Sequence, residues 1–276
     1  MMRTDPVGAD VPIPPLSARG APGRVVRLAV RAGARLGRDL LDLALPRCCA
    51  SCDALLGERE AGLVCGPCWA RLVPLPHPRC ERCGHPTGGA PCRWCAQLPA
   101  YVRAVRSVCW AHRGTGRAVV HALKYHGWER VADGMAERMA RLSWPADVVG
   151  ERRALVPVPL AASRLRERGF NQSERLARAL GARLALPVWA DVLERSRATH
   201  TQTRLTPEQR LSNVSGAFHA PAGAATRLRG AHLLLVDDVV TTAATLNACA
   251  ATLFGAGARI ISYVTFGRAP GPGDRI

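Results

Sequence analysis

The sequence predicts an α/β protein in which a parallel sheet flanked by helices follows a small, metal-stapled segment. Three observations carry this reading. From residue 101 onward, strand-like and helix-like stretches alternate, the pattern of strands joined by crossover helices. Residues 231–237 are almost unbroken apolar sequence, as expected of a parallel strand covered on both faces. Nine of the 11 cysteines fall within residues 47–98, a stretch rich in Pro and Gly that is too short to bury much core unaided.

The 276 residues suffice for one sizeable α/β domain and a small companion, and a hydrophobic content of 48% excludes global disorder. Aromatics make up only 5%, so the core must be built from Ala, Val and Leu. The formal net charge is +17, and all but one of the 38 basic residues are arginines, Lys124 being the exception. Guanidinium forks suit phosphate oxygens. Genomic base bias explains an Ala- and Arg-rich chain equally well, so charge alone chooses no partner. No apolar run reaches the roughly 18 residues a membrane helix needs. Arg27, Arg31, Arg35 and Arg38 interrupt the stretch where a signal peptide would be apolar. The expected location is cytoplasmic, where so many cysteines point to metal rather than disulfides.

In chain order, residues 1–23 lack periodicity and are expected to be a disordered extension. Residues 24–46 read as an amphipathic basic helix, with Val26, Val30, Leu36, Leu40 and Leu43 near one face and Pro46 at its end. It either docks on the body of the protein or lies on a membrane or nucleic-acid surface. Expected strands cover 102–111, 154–159, 231–237 and 259–266. Expected helices cover 116–124, 129–142, 173–185 with Ser173 as N-cap, and 245–254, stopped near Gly255 and Gly257. Residues 269–276 form a tail. The domain at 101–268 is expected to have its own core and to stay folded when the cysteine-rich segment is unfolded.

The cysteines form four knuckles, Cys49-x-x-Cys52, Cys65-x-x-Cys68, Cys80-x-x-Cys83 and Cys92-x-x-Cys95. A CxxC turn points two thiolates at one ion, and two turns complete a tetrahedral site. Zinc or iron fits, and thiolates without a redox-cluster spacing favour zinc. The simplest pairing joins the first two knuckles and the last two, with a crossed arrangement as the alternative. Cys48 could exchange with Cys49. Cys109 and Cys249 read as small core residues.

The most informative string is Leu233-Leu-Leu-Val-Asp-Asp-Val-Val-Thr-Thr-Ala-Ala-Thr245. An apolar strand is expected to end in Asp237 and Asp238, followed by a turn of hydroxyl and small residues and then a helix. Loop amides at a helix N-terminus cradle phosphate, with hydroxyls from Thr241, Thr242 and Thr245 and close approach past Ala243 and Ala244. Two carboxylates at the carboxyl end of a strand suit the hydroxyls of a ribose. Phosphate on one side and diol on the other describe a ribose 5-phosphate.

This string resembles the phosphoribosyl pyrophosphate (PRPP) signature of type I phosphoribosyltransferases. The chain around it resembles their ComF branch, a double zinc ribbon joined to a phosphoribosyltransferase-like domain. The resemblance spans about residues 40–268. It rests on the cysteine knuckles, Leu123-Lys-Tyr-His-Gly127, Val156-Pro-Val-Pro-Leu160, Arg166-Glu-Arg-Gly-Phe-Asn-Gln172, Arg195-Ser-Arg-Ala-Thr-His-Thr-Gln202, Arg210-x-x-Asn213 and Gly216-Ala-Phe218. It implies a type I phosphoribosyltransferase fold with a flexible hood over residues 195–218. It also implies a ribbon at 47–98 holding two structural zinc ions, and PRPP or ribose 5-phosphate bound with Mg²⁺. Asp237 and Asp238 would be the catalytic pair, with Thr241–Thr245 as the phosphate loop. Pro157 and Val158 would meet pyrophosphate, Val158 offering a free amide between two prolines. Arg164 and Arg168 would follow them, unless they form a solvated helix face. Lys124 would supply a point charge, and Arg195, Arg197, Gln202 and Arg210 would be ligands on the hood. The family link to DNA uptake in competent bacteria, together with the charge of +17, implies DNA or a DNA-handling helicase as a partner. The resemblance implies transfer of phosphoribosyl to an acceptor, with a non-catalytic PRPP-sensing or DNA- or helicase-associated adaptor as the alternative. Where the family usually carries Gly, this chain has Ala243, a strained choice if the turn needs a positive φ.

Overall fold

The computed structural model describes residues 47–57, 62–87, 92–125, 129–195, 216–271 and 274. The chain divides into two units, 1–46 and 47–276, and every described residue belongs to the second. The expected extension and basic helix at 1–46 therefore lie outside the described residues. So do Arg197, Gln202, Arg210 and the rest of 196–215.

The elements run α1 (Gly66–Ala70), β1 (Val102–Trp110), α2 (Gly114–Tyr125), α3 (Val131–Ala140), α4 (Ala146–Glu151), β2 (Arg152–Pro157), α5 (Ala162–Arg168), α6 (Gln172–Leu184), β3 (Glu194–Arg195), β4 (Phe218–His219), α7 (Ala225–Leu228), β5 (His232–Val240), α8 (Ala244–Gly255) and β6 (Ile260–Arg268). Four strands form a parallel sheet in the order β1-β6-β5-β2. Alternate residues of the two central strands feed two cores. Leu234, Val236, Val264 and Phe266 pack with α2, α3 and α6 on one face. Leu233, Leu235, Ile261 and Tyr263 pack with α8 on the other. Burial on both faces explains the unbroken apolar strand sequence.

Three expectations are corrected. The acidic strand does not end at Asp237. It continues to Val240, because Val239 and Val240 pair with Gly267 and Arg268 of β6. The N-cap of α6 is Asn171, whose side chain accepts from the Ser173 N–H at 3.0 Å, so the Ser173 hydroxyl is left for other work. The cysteine-rich segment also shares the core of the α/β part. Cys49, Cys65 and Cys68 belong to the first core and Cys83 and Leu98 to the second. The Trp69 ring meets Phe266 edge-on at 6.2 Å. Val73 O accepts from Trp110 N–H at 2.9 Å, and Arg82 O from Val105 N–H at 2.8 Å. The segment thus covers the outer edge of β1, which would otherwise expose unpaired backbone groups.

Candidate functional site

The knuckles pair sequentially. Cys49, Cys52, Cys65 and Cys68 form one cluster and Cys80, Cys83, Cys92 and Cys95 another, with the sulfurs of each within 4.8 Å of one another. Sulfur separations of 3.8 Å for Cys52–Cys65, 3.4 Å for Cys80–Cys95 and 3.3 Å for Cys83–Cys92 approach a tetrahedral edge. That edge is about 3.8 Å for Zn–S bonds of about 2.3 Å. The electrostatics of the crowded thiols fit a cation. Burial raises Cys49, but N–H donors from Cys65, Ser51 and Cys52 outweigh it and bring the thiol down to about 7. Burial and neighbouring thiols push Cys68 up to about 12. One proton leaves each crowd easily and the last leaves with difficulty unless a metal takes its place. Cys109 and Cys249 are fully buried, as expected of core residues.

The second site lies at the carboxyl ends of the strands. Ser173 Oγ donates to Asp237 Oδ1 at 2.8 Å, and the Asp238 N–H donates to the same oxygen at 2.9 Å. Lys124, near the end of α2, places Nζ 2.5 Å from Asp238 Oδ2, and Asp238 is only 3% exposed. Burial would lower the Lys124 ammonium, but the Asp238 carboxylate outweighs it and the net shift is upward. Burial raises Asp237 to about 7, with the Asp238 charge adding to the rise while Ser173 and Lys124 oppose it. The strand then turns through 241–243 into α8. Thr241 is exposed, Thr242 and Thr245 are half-buried, and Ala243 and Ala244 are buried. Ala243 has φ 57° and ψ 7°, the left-handed conformation that favours glycine. The first N–H groups of α8 lack intrahelical acceptors and carry the positive end of the helix dipole. One edge of the site is thus acidic, and the other presents amides and hydroxyls to an anion.

The double zinc ribbon domain family matches residues 40–99, and the phosphoribosyl transferase domain family matches residues 165–275. The DNA utilization protein YhgH of Salmonella typhi is 31% identical over 229 residues, covering 79% of this chain and 96% of that protein. The chain belongs to the ComF family. Competence protein F of Haemophilus influenzae is 36% identical over 94 residues, or 34% of this chain and 41% of that protein. Among solved structures, the allosteric regulatory enzyme of purine biosynthesis is 15% identical, with a TM-score of 0.35 over 53% of this chain and 30% of that one.

Not every residue that the ComF resemblance singles out faces this site. Val158 is corrected. Its N–H donates to Val236 O at 3.0 Å and its C=O accepts from Asn171 Nδ2 at 3.1 Å, so no free amide stands between Pro157 and Pro159. Arg164 pairs with Glu167 at 2.8 Å along α5, as on a solvated helix face. Arg168 turns toward the site. Its guanidinium lies 5.1 Å from the Tyr125 ring, donates to Gln172 Oε1 at 3.0 Å, and is near enough to oppose the Lys124 charge. Arg195 lies over Phe218 at 5.3 Å, near enough for the Asp237 charge to act on it. Ser173 is the side chain at this site that sequence reasoning read only as a helix cap. A hydroxyl-bearing residue in the first turn of a helix reads as a cap, and only the packing of α6 against β5 turns it onto Asp237.

Two predictions follow from this geometry. Ala243→Gly relieves a left-handed alanine worth about 1–2 kcal/mol, offset by up to about 1 kcal/mol of extra unfolded-chain entropy. A net gain of a few tenths to about 1 kcal/mol is expected, read as a higher denaturation midpoint. For Asp237, a folded pKa of about 7 lies above the ordinary unfolded value near 4, so folding takes up a proton between them. Its favourable contribution is complete below about pH 4 and is lost as pH rises to about 7. The stability of the wild type minus that of Asp237→Asn should therefore fall across this window in a pH series of thermal melts. A flat difference contradicts the assigned shift.

Proposed function

We propose that this chain binds PRPP or ribose 5-phosphate with Mg²⁺ at the strand ends and transfers the phosphoribosyl group to an acceptor, in the service of DNA uptake. The observation that carries the reading is the Asp237–Asp238 pair near the end of β5, two residues before the 241–243 turn and the N-terminus of α8. Carboxylates that ligate a divalent ion and hydroxyls, beside amides that bind a phosphate, suit a sugar phosphate. Asp237 in its ionised form would be the carboxylate that holds Mg²⁺, which would supply charge neutralisation to the pyrophosphate. The chain's own part in the reaction is positional. The turn and α8 hold the 5-phosphate, and Asp237 orients the ribose. Lys124 holds Asp238 in place, while Arg168 and Arg195 would supply positive charge to a departing pyrophosphate. The bond from the anomeric carbon to pyrophosphate breaks with its electron pair on the leaving group as the acceptor bond forms.

The ribbon at 47–98 is the structural zinc module in this reading, and the 101–268 domain carries the reaction in the cytoplasm. None of the helices among the described residues is long and apolar enough to cross a membrane. The relatives' names, DNA utilization protein and competence protein, support DNA as a partner, and a DNA-handling helicase is the protein partner that the family resemblance adds. If the basic surface binds DNA directly, affinity should fall steeply with salt as counterions are released. Affinity that is flat with salt assigns the charge to composition. Titration calorimetry with PRPP and Mg²⁺ tests the main reading. Binding is expected in the wild type, and a roughly 10- to 100-fold loss in Asp237→Asn, for one charge-assisted hydrogen bond. Equal affinity in both refutes the site. Ala243 favours a second reading, a PRPP sensor without transfer, because its strained turn weakens the phosphate loop. PRPP that binds and is never consumed with any acceptor supports that reading.

A further inference from the structure

Arg268, the last residue of β6, is 1% exposed and is among the largest fully buried side chains. Its Nη2 donates to Cys83 O at 2.6 Å, its guanidinium lies 5.4 Å from the Trp94 ring, and its Nε has no partner among the described residues. The thiols of Cys83 and Cys92 are near enough to act on it electrostatically, with a smaller contribution from Asp274. A guanidinium stays charged when buried and so needs a counter-charge. Four thiolates on one Zn²⁺ carry a net charge of about −2. Metal in the cluster also fixes the Cys80–Cys83 knuckle, and with it the Cys83 carbonyl that Arg268 holds.

Arg268 is also joined to the other site. It is the register partner of Val240 in β5 and of Trp110 in β1. The next residue continues the ladder, since Ala269 N–H donates to Val240 O at 2.9 Å. Val240 is the last residue before the 241–243 turn. The chain beyond β6 stays on the second cluster, with Asp274 Oδ1 2.8 Å from Nε2 of His85, two residues past Cys83.

We propose that Arg268 is the buried counter-charge of the Cys80/Cys83/Cys92/Cys95 metal site, and that metal in this site, acting through Arg268, holds the carboxyl ends of β5 and β6 in register. Metal loading and the position of the 241–243 turn are then coupled, so loss of this metal loosens the turn. This inference rests on the cysteine cluster and the sheet register and does not depend on PRPP being the ligand.

The test is zinc release from the full-length protein to a chromophoric chelator, with the second-site phase assigned by Cys92→Ser. Arg268→Gln, which keeps a donor and removes the charge, should release second-site zinc about 10- to 100-fold faster and leave the first site unchanged, the usual range for a residue supporting metal ligands. Arg268→Lys, which restores the charge, should recover much of the wild-type rate. Wild-type release from Arg268→Gln, or no difference between the Gln and Lys variants, overturns the proposal. If the Gln variant does not fold, hydrogen exchange on the wild type and Cys92→Ser decides. Exchange should quicken at the amides of residues 240–245 and 269, and not at Leu155 on the far edge of the sheet. Unchanged exchange at 240–245 overturns the proposal.

Discussion

Emptying the first zinc site should unfold the α/β part of this protein together with the cysteine-rich segment. A structural Cys₄ zinc contributes about 10–16 kcal/mol of apparent binding free energy. A domain's whole stability is about 5–15 kcal/mol. The sequence alone suggested that the loss would stay local. The shared core argues otherwise. Cys65 and Cys68 pack in the same cluster as Val264 and Phe266, and Trp69 bridges them. Trp69 also lies against Gly134 of α3, where an added Cβ would come within 2.6 Å of the ring, and carries the Arg138 guanidinium 3.7 Å from its ring. With the first site empty, α1 loses its anchor and this core loses one wall. Cys68→Ala, at a ligand 2% exposed, should therefore abolish cooperative unfolding in far-ultraviolet circular dichroism, and a chelator should do the same to the wild type. Metal analysis should find two zinc ions per folded chain. Retention of the full helical and sheet signal after chelation shows that the α/β part stands alone.

Asp238→Asn should have the second-largest effect, on stability and binding together. Removing one partner of a buried ion pair leaves a charge without compensation, at about 3–5 kcal/mol. The low end applies here, because the Lys124 side chain is 25% exposed and can recruit water. Asp238 lies inside β5, where its carboxylate is buried against Lys124, so its loss costs stability as well as binding. PRPP affinity should fall about 10- to 100-fold as well if this carboxylate orders the ribose edge. The double variant Lys124→Met/Asp238→Leu separates the two effects. It should recover most of the stability, as apolar replacements of buried pairs often do, and recover none of the affinity. Stability unchanged in Asp238→Asn shows that the pair is fully hydrated in solution.

The zinc knuckles, the parallel strands and the acidic string were legible in the sequence because each depends on local spacing. CxxC turns fix the distance between two thiolates, unbroken apolar runs mark strands covered on both faces, and a run of small hydroxyl residues before a helix marks an anion cradle. The possible strain at Ala243 was legible too, since one residue's φ belongs to its own turn. Tertiary structure alone decided what depends on residues far apart in sequence. Lys124 and Asp238 are 114 positions apart and Ser173 and Asp237 are 64 apart, yet each pair is in contact. Strand pairing drew Asp237 and Asp238 inside β5, because Val239 and Val240 find partners in β6. Packing likewise merged the ribbon with the sheet. A knuckle's spacing turns two thiolates toward a metal but does not set the surface on which its apolar side chains are buried, and that surface is assembled from α3, β1 and β6 only when the chain has folded.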